Sequence, residues 1–296
     1  MNMKTLATMT LSIAILAAPT FAKDARKAAK PKDNRAPLPT ATYDSVAYGK
    51  HKMQCIDVWL PKGAAVPTPV VIFIHGGGFR NGTRKSPSTG RYLAASQKAG
   101  VAFVSVEYRL LGDITDATPP VSACLDDIFA AVKFVQSKAK EWNLDLSRLG
   151  LMGGSAGAHS SLCVALTDNN ALGVRAIFPI RPQTSMDPKE MREWIPNSRY
   201  GHALFGYKNF QEWFDHRDDC LKWIAKYSPM ALLATCDPKK APVIICEGPA
   251  SPKPGVEEKD PTHSGAFIDK FKAAADKRGV LCRRGKMDDF LKELLN

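Results

Sequence analysis

The segment Gly153-Gly154-Ser155-Ala156-Gly157 constrains this chain more than any other. It fits the pattern G-x-S-x-G. In that pattern a chain turns sharply from strand to helix and holds a serine in a strained conformation with its oxygen exposed. Small residues are required because side chains there would collide with the turn. At average glycine and serine usage the pattern arises by chance in about one chain in ten, so context has to decide. The context agrees. Leu149 to Met152 is a short apolar run of strand type, and Ser155 to Leu166 has helical spacing.

A second glycine motif, His75-Gly76-Gly77-Gly78-Phe79, directly follows the apolar run Val70 to Ile74. Consecutive glycines let backbone N–H groups come close to a ligand oxygen and turn toward it. Acyl transfer needs such donors because negative charge builds on the carbonyl oxygen. The candidate donors are Gly77, Gly78 and Ala156. A plain glycine turn would also explain the motif, but a serine elbow downstream makes coincidence a poor account.

Between and beyond these motifs, apolar strand-like runs alternate with helical ones, the pattern of an α/β fold with a mostly parallel sheet and helices on both faces. Strands are expected at 53–60, 70–74, 101–108, 149–152, 174–180, 242–246 and 280–283. Helices are expected at 121–140, 155–166, 267–277 and 287–295. Residues 181–235 hold tryptophans and prolines, break the alternation, and are expected to cap the sheet. Of the 296 residues 45% are hydrophobic, enough for one sizeable core. Residues 1–22 combine a charged start, an apolar run and Thr20-Phe21-Ala22, which reads as a cleaved secretory signal and implies a secreted or periplasmic protein. Residues 23–39 read as a basic flexible linker, leaving 40–296 as the folded domain. No later run suits a membrane span.

The formal charge of +12 would attract anionic surfaces, but no nucleic-acid motif accompanies it. The seven cysteines are odd in number, so at least one is unpaired within the chain. Cys124, Cys163 and Cys246 read as buried thiols. Cys220 and Cys236 flank one short segment and are the pair to test first for a disulfide. No spacing resembles a metal site.

HGGGF, then Val106-Glu107-Tyr108-Arg109-Leu110, then the helix with Asp126 and Asp127, then the elbow sequence resemble the carboxylesterase and hormone-sensitive-lipase-like branch of the α/β hydrolases. The bacterial acetyl and feruloyl esterase-like proteins are the nearest group. The resemblance is strong over residues 45–180 and resumes at Tyr227-Ser228-Pro229 and Ala241-Pro242-Val243. It implies the α/β-hydrolase fold, ester hydrolysis through an acyl-serine at Ser155, and no cofactor.

The chain departs from the family in its acid and base. The family's acid follows the strand matching Val243 to Cys246, and that register falls on Ser251, which cannot orient an imidazolium. The family's histidine follows the last strand, where this chain has Arg283-Arg284-Gly285-Lys286 running into the final helix. A serine without a base is a poor nucleophile. His75 suits a structural part in the glycine loop, and His159 suits packing under the elbow. His202 and His216 sit in the cap, and His51 has no evident role. His263 lies in the segment that opens at the C-terminal rim of the sheet, where Ser155 must lie. It is the candidate base, although a place beside the helix caps Thr262 or Ser264 explains it equally. Asp260 is the nearest acid, with Asp187 and Glu247 as alternatives.

Two functions follow, with a peptidase of the same fold ranked below both. One is a serine esterase acting on small acyl esters, with acetyl or feruloyl groups on polysaccharide as candidate substrates. The other is a non-catalytic relative that binds glycan or serves as a scaffold, suggested by the missing C-terminal histidine.

Overall fold

The computed structural model describes residues 36–63 and 66–296. The expected signal and most of the expected linker lie outside the described residues. The strands are β1 (Tyr43–Ala47), β2 (Cys55–Trp59), β3 (Thr68–Ile74), β4 (Ala102–Val106), β5 (Leu144–Gly154), β6 (Ala176–Ile180), β7 (Val243–Cys246) and β8 (Cys282–Arg284). They form one eight-stranded sheet in the order 1-2-4-3-5-6-7-8. The pairs β1–β2 and β2–β4 are antiparallel, and all others are parallel.

Strand periodicity places helices on both faces. Along β3, Val70, Ile72 and Ile74 enter one apolar cluster, while Val71 and Phe73 enter the other. Along β4, Ala102, Val104 and Val106 divide from Phe103 in the same way. Successive side chains point to opposite faces, so an apolar run is stable only if both faces are covered. One cover comes from α2 (Val121–Ser137), α3 (Ala156–Leu166) and α8 (Gly265–Arg278). The other comes from α1 (Gly90–Lys98) and α9 (Met287–Leu295), through Tyr92, Leu93, Phe290, Leu291 and Leu294.

Two elements escape a reading of the residues alone. β1 is an exposed edge strand, Tyr-Asp-Ser-Val-Ala, with no apolar alternation and with Ser45 at φ 54°. α1 begins on Gly90 and buries only Tyr92, Leu93 and Ser96, too few to mark a helical stripe.

Residues 181–235 fold as four short helices, α4 (Pro188–Trp194), α5 (Phe210–Asp215), α6 (Leu221–Tyr227) and α7 (Pro229–Thr235), joined by turns. Met186, Ile195, Trp213, Ile224 and Leu233 are buried in the same cluster as β3, α2 and α3. The insertion therefore extends the core of the sheet. Its first helix is capped by Asp187, whose carboxylate also takes two hydrogen bonds from Arg217, at 2.8 and 2.6 Å. Among the described residues no helix is long and apolar enough to cross a membrane.

The cysteine expectation needs one correction. All seven thiols are free and buried, so Cys220 and Cys236 are not joined. Cys220 donates to the Tyr207 hydroxyl, and Cys236 donates to the Leu233 carbonyl within its own turn. Each is packed separately.

Candidate active site

The site grows out of the end of β5. Ser155 follows Gly154 with φ 53° and ψ −117°, outside the regions open to ordinary residues. Its N–H donates to the Ile180 carbonyl at the end of β6, 2.8 Å away. This anchor holds the elbow against the sheet. The helix that follows leaves with Gly157 against β3, where an added Cβ would lie 2.0 Å from the Ile74 carbonyl oxygen.

The glycine loop abuts the elbow at Gly76, where a Cβ would lie 2.5 Å from the Gly154 oxygen and 3.4 Å from Ser155 Cβ. Gly77 then turns with φ 116°, and its carbonyl accepts from the Arg80 and Asn81 amides. Among the described residues the amides of Gly76, Gly77, Gly78 and Ala156 have no acceptor. Backbone donors left free beside a serine suit an oxyanion.

The loop is held from behind by the motif Val106 to Leu110. His75 Nε2 meets the Glu107 carboxylate at 2.9 Å, and its ring stacks on Tyr108 with centroids 4.4 Å apart. The Tyr108 hydroxyl donates to the His75 carbonyl. Burial pushes the Glu107 carboxyl up, but the His75 hydrogen bond and charge, with Thr83 and the Arg84 amide, hold it below its ordinary value. Arg109 pairs with Asp127 through two nitrogens, pinning this strand end to α2. His75 thus has the structural part expected of it.

After β7 the chain crosses the C-terminal rim of the sheet and makes a 3₁₀ turn, Pro261–His263, before Ser264 caps α8. This turn places His263 Nε2 2.9 Å from Ser155 Oγ and His263 Nδ1 2.9 Å from Asp260 Oδ2. With Nδ1–H directed at Asp260, Nε2 accepts the serine hydroxyl. Ser155, His263 and Asp260 therefore form one hydrogen-bonded chain. Asp260 is more than half exposed and His263 about a quarter exposed, so this acid is wetter than a buried triad carboxylate. The other acids weighed from the sequence are elsewhere. Asp187 is committed to the α4 cap and Arg217, and Glu247 lies 3.9 Å from Arg91. Ser251 bonds to Asp269.

Two residues that hold the base loop were missed from the sequence. Gln183, fully buried, donates from Nε2 to the Thr262 carbonyl at 2.7 Å, next to His263. Asn197 makes a two-way clamp with the Glu258 backbone, at 2.8 and 3.1 Å. Both belong to the 181–235 insertion, which thereby holds the segment that carries His263. Lone amide side chains carry no motif, so nothing in the sequence singled them out.

Three other histidines are engaged elsewhere. His216 pairs with Asp219 on the surface, and His51 bonds within its own turn. His159 is buried under the elbow, donating from Nδ1 to the Gln183 carbonyl, with its ring edge-on to Phe79. Burial lowers its pKa from 6.5 to about 4. Unfolded, the ring takes up a proton below about pH 6.5; folded, it resists until about pH 4. Falling pH therefore loads protons onto the unfolded chain, and stability drops across that window, by about 3 kcal/mol from this group alone. Urea midpoints measured from pH 7 to 4.5 are expected to fall more steeply in the native protein than in His159→Asn, which keeps a donor for Gln183. Equal slopes would mean that His159 is not the group responsible.

The site opens into a cleft of about 890 Å³, lined in part by Gly76, Gly154, Ser155, Tyr92 and Ile180. This size suits a small-molecule or sugar-sized ligand.

Known proteins share parts of this sequence and its fold. The BD-FAE family model matches residues 56–192. "Probable carboxylesterase 13" of Arabidopsis thaliana is 29% identical over 198 residues, covering 53% of this chain and 59% of that protein. "Acetylxylan esterase" of Xylanibacter ruminicola is 31% identical over 165 residues, covering 54% of this chain and 31% of that protein. The chain thus spans less than two thirds of either relative. A solved structure described as a truncated form of carbohydrate esterase from gut microbiota superposes with a TM-score of 0.66 at 20% identity, covering 88% of this chain and all of that one. With its strand order and these likenesses, the chain has the α/β-hydrolase fold, and its sequence is similar to those of carboxylesterases.

Proposed function

We propose that this protein hydrolyses carboxylic esters through an acyl-serine intermediate. The observation that carries the reading is the 2.9 Å contact between Ser155 Oγ and His263 Nε2, which supplies the base that the C-terminal segment lacks. As Oγ attacks the ester carbonyl, its proton passes to Nε2. The carbonyl oxygen becomes an oxyanion held by amides from Gly77, Gly78 and Ala156, with Gly76 alongside. The tetrahedral intermediate collapses, and His263 returns the proton to the departing alcohol. Water then attacks the acyl-serine with His263 again as base, releasing the acid and restoring Ser155. Asp260 orients the imidazole and offsets its charge. The scheme uses no cofactor.

Small acyl esters on carbohydrate are the substrate class this reading favours, acetyl or feruloyl groups among them. Its support is the acetylxylan esterase relative and the carbohydrate-esterase neighbour in fold. The secretory pattern of residues 1–22 supports export, which suits a substrate outside the cytoplasm. The alternative, a relative that binds without catalysis, rested on the lack of a base, and the placement of His263 weakens it. The test is covalent labelling. A fluorophosphonate probe is expected to label the native protein, and Ser155→Ala is expected to lose the label. An unlabelled native protein with no turnover of p-nitrophenyl acetate would favour the non-catalytic reading.

A further inference from the structure

The cleft beside Ser155 carries more positive charge than ester hydrolysis needs. Arg181 is the residue directly after β6, whose last carbonyl anchors the Ser155 amide. It lines the cleft, is exposed, and adopts φ 50°, a left-handed conformation that costs a non-glycine residue of order 1 kcal/mol. Its backbone is fixed there, because its N–H donates to the Glu247 carbonyl at 2.7 Å and its carbonyl accepts from Gln183. Its guanidinium has no hydrogen-bond or ion-pair partner among the described residues. Arg91 lines the same cleft, two-thirds exposed. Its guanidinium stacks over the Tyr92 ring, donates to the Tyr92 hydroxyl, and lies 3.9 Å from Glu247. The rest of the lining is largely apolar, including Leu38, Phe73 and Ile180. A strained backbone that holds Arg181 in the lining of the nucleophile's cleft, with its guanidinium unpaired, fits a planar anion, and carboxylates match a guanidinium in two-point geometry.

We infer that the cleft selects esters whose acyl or alcohol part carries a carboxylate, with Arg181 as the specificity residue and Arg91 beside it. On a glycan the carboxylate is that of a uronate unit. This rests on the esterase reading for what is done to the ligand, but not for the binding itself.

Binding to the Ser155→Ala protein tests the inference free of turnover. The probes are two matched pairs, 4-acetoxybenzoate against its methyl ester, and acetylated oligogalacturonate against acetylated xylo-oligosaccharide. At low salt each anion is expected to bind about fivefold or more tighter than its neutral partner. Adding Arg181→Gln should bring both ratios close to one. Adding Lys140→Gln instead, at the far end of β5, should leave them, because general surface charge would respond to either change. Preference for the small anion alone would assign a small acidic ester, and preference for both would assign the uronate glycan. Equal binding within both pairs, or a preference that survives Arg181→Gln, would overturn the inference. Turnover of these compounds by the native protein reads the esterase question separately. Anion preference without turnover would sink the esterase and keep the anion site, whereas turnover without preference would do the reverse.

Discussion

Ser155→Ala and His263→Ala are each expected to lower p-nitrophenyl acetate turnover by at least about two orders of magnitude, and the double variant by little more than either alone. The nucleophile and its base act on one proton, so removing one leaves the other with nothing to do. A positioned histidine base supplies about 10²- to 10⁴-fold, and what survives comes from the glycine-loop amides. The expectation is specific to His263 because the structure gives Ser155 Oγ one imidazole partner, at 2.9 Å, while His75 and His159 are engaged with Glu107 and the Gln183 carbonyl. Circular dichroism of each variant separates loss of chemistry from loss of fold. Full activity in His263→Ala, with loss in His202→Ala or His216→Ala, would move the base into the insertion and refute the assignment.

A large effect on stability is expected at Gly157. A Cβ there would sit 2.0 Å from the Ile74 carbonyl oxygen and 2.9 Å from that of His75, both backbone atoms. A side-chain contact yields by rotating, but these backbone atoms cannot, so α3 would have to back away from β3. Leu162 and Val164 of that helix lie in the core, and they would lose contacts with it. Gly157→Val is therefore expected to cost about 3 kcal/mol or more, beyond ordinary overpacking because the obstruction is main chain. Gly154→Ala is the control, since a Cβ there meets nothing within 4 Å. The check is the urea midpoint of each variant, and a Gly157→Val midpoint equal to the native one would show that the helix is not held by this approach.

What could be read from the residues was what local chemistry enforces. The apolar run at Val70 to Ile74 demanded cover on both faces, and it has it. Gly153 to Gly157 demanded a strand-to-helix turn, and β5 and α3 meet there. The contact of His263 with Ser155 was half legible, because its segment opens at the rim of the sheet, while a place beside the helix caps explained the residue equally. What escaped depends on pairings that no local pattern records. β1 is a strand only because it pairs with β2, and its own residues are exposed. Gln183 and Asn197 hold the base loop through backbone atoms that no pattern records. The pairing expected of Cys220 and Cys236 rested on proximity in sequence, whereas each thiol is fixed by its own helix packing.

The 3₁₀ turn that carries both acid and base has a consequence for how the site would come apart. Asp260 and His263 are three residues apart, and Pro261 between them restricts the backbone. Their geometry is a local property of one turn. Ser155 and His263 are 108 residues apart, and their contact exists only while the sheet, the elbow and the insertion hold their places. Mild loosening of the tertiary structure would leave the acid–base pair assembled and part it from the serine. In the proposed mechanism the long-range contact is the part most exposed to loosening, and activity is expected to fail before the secondary structure does.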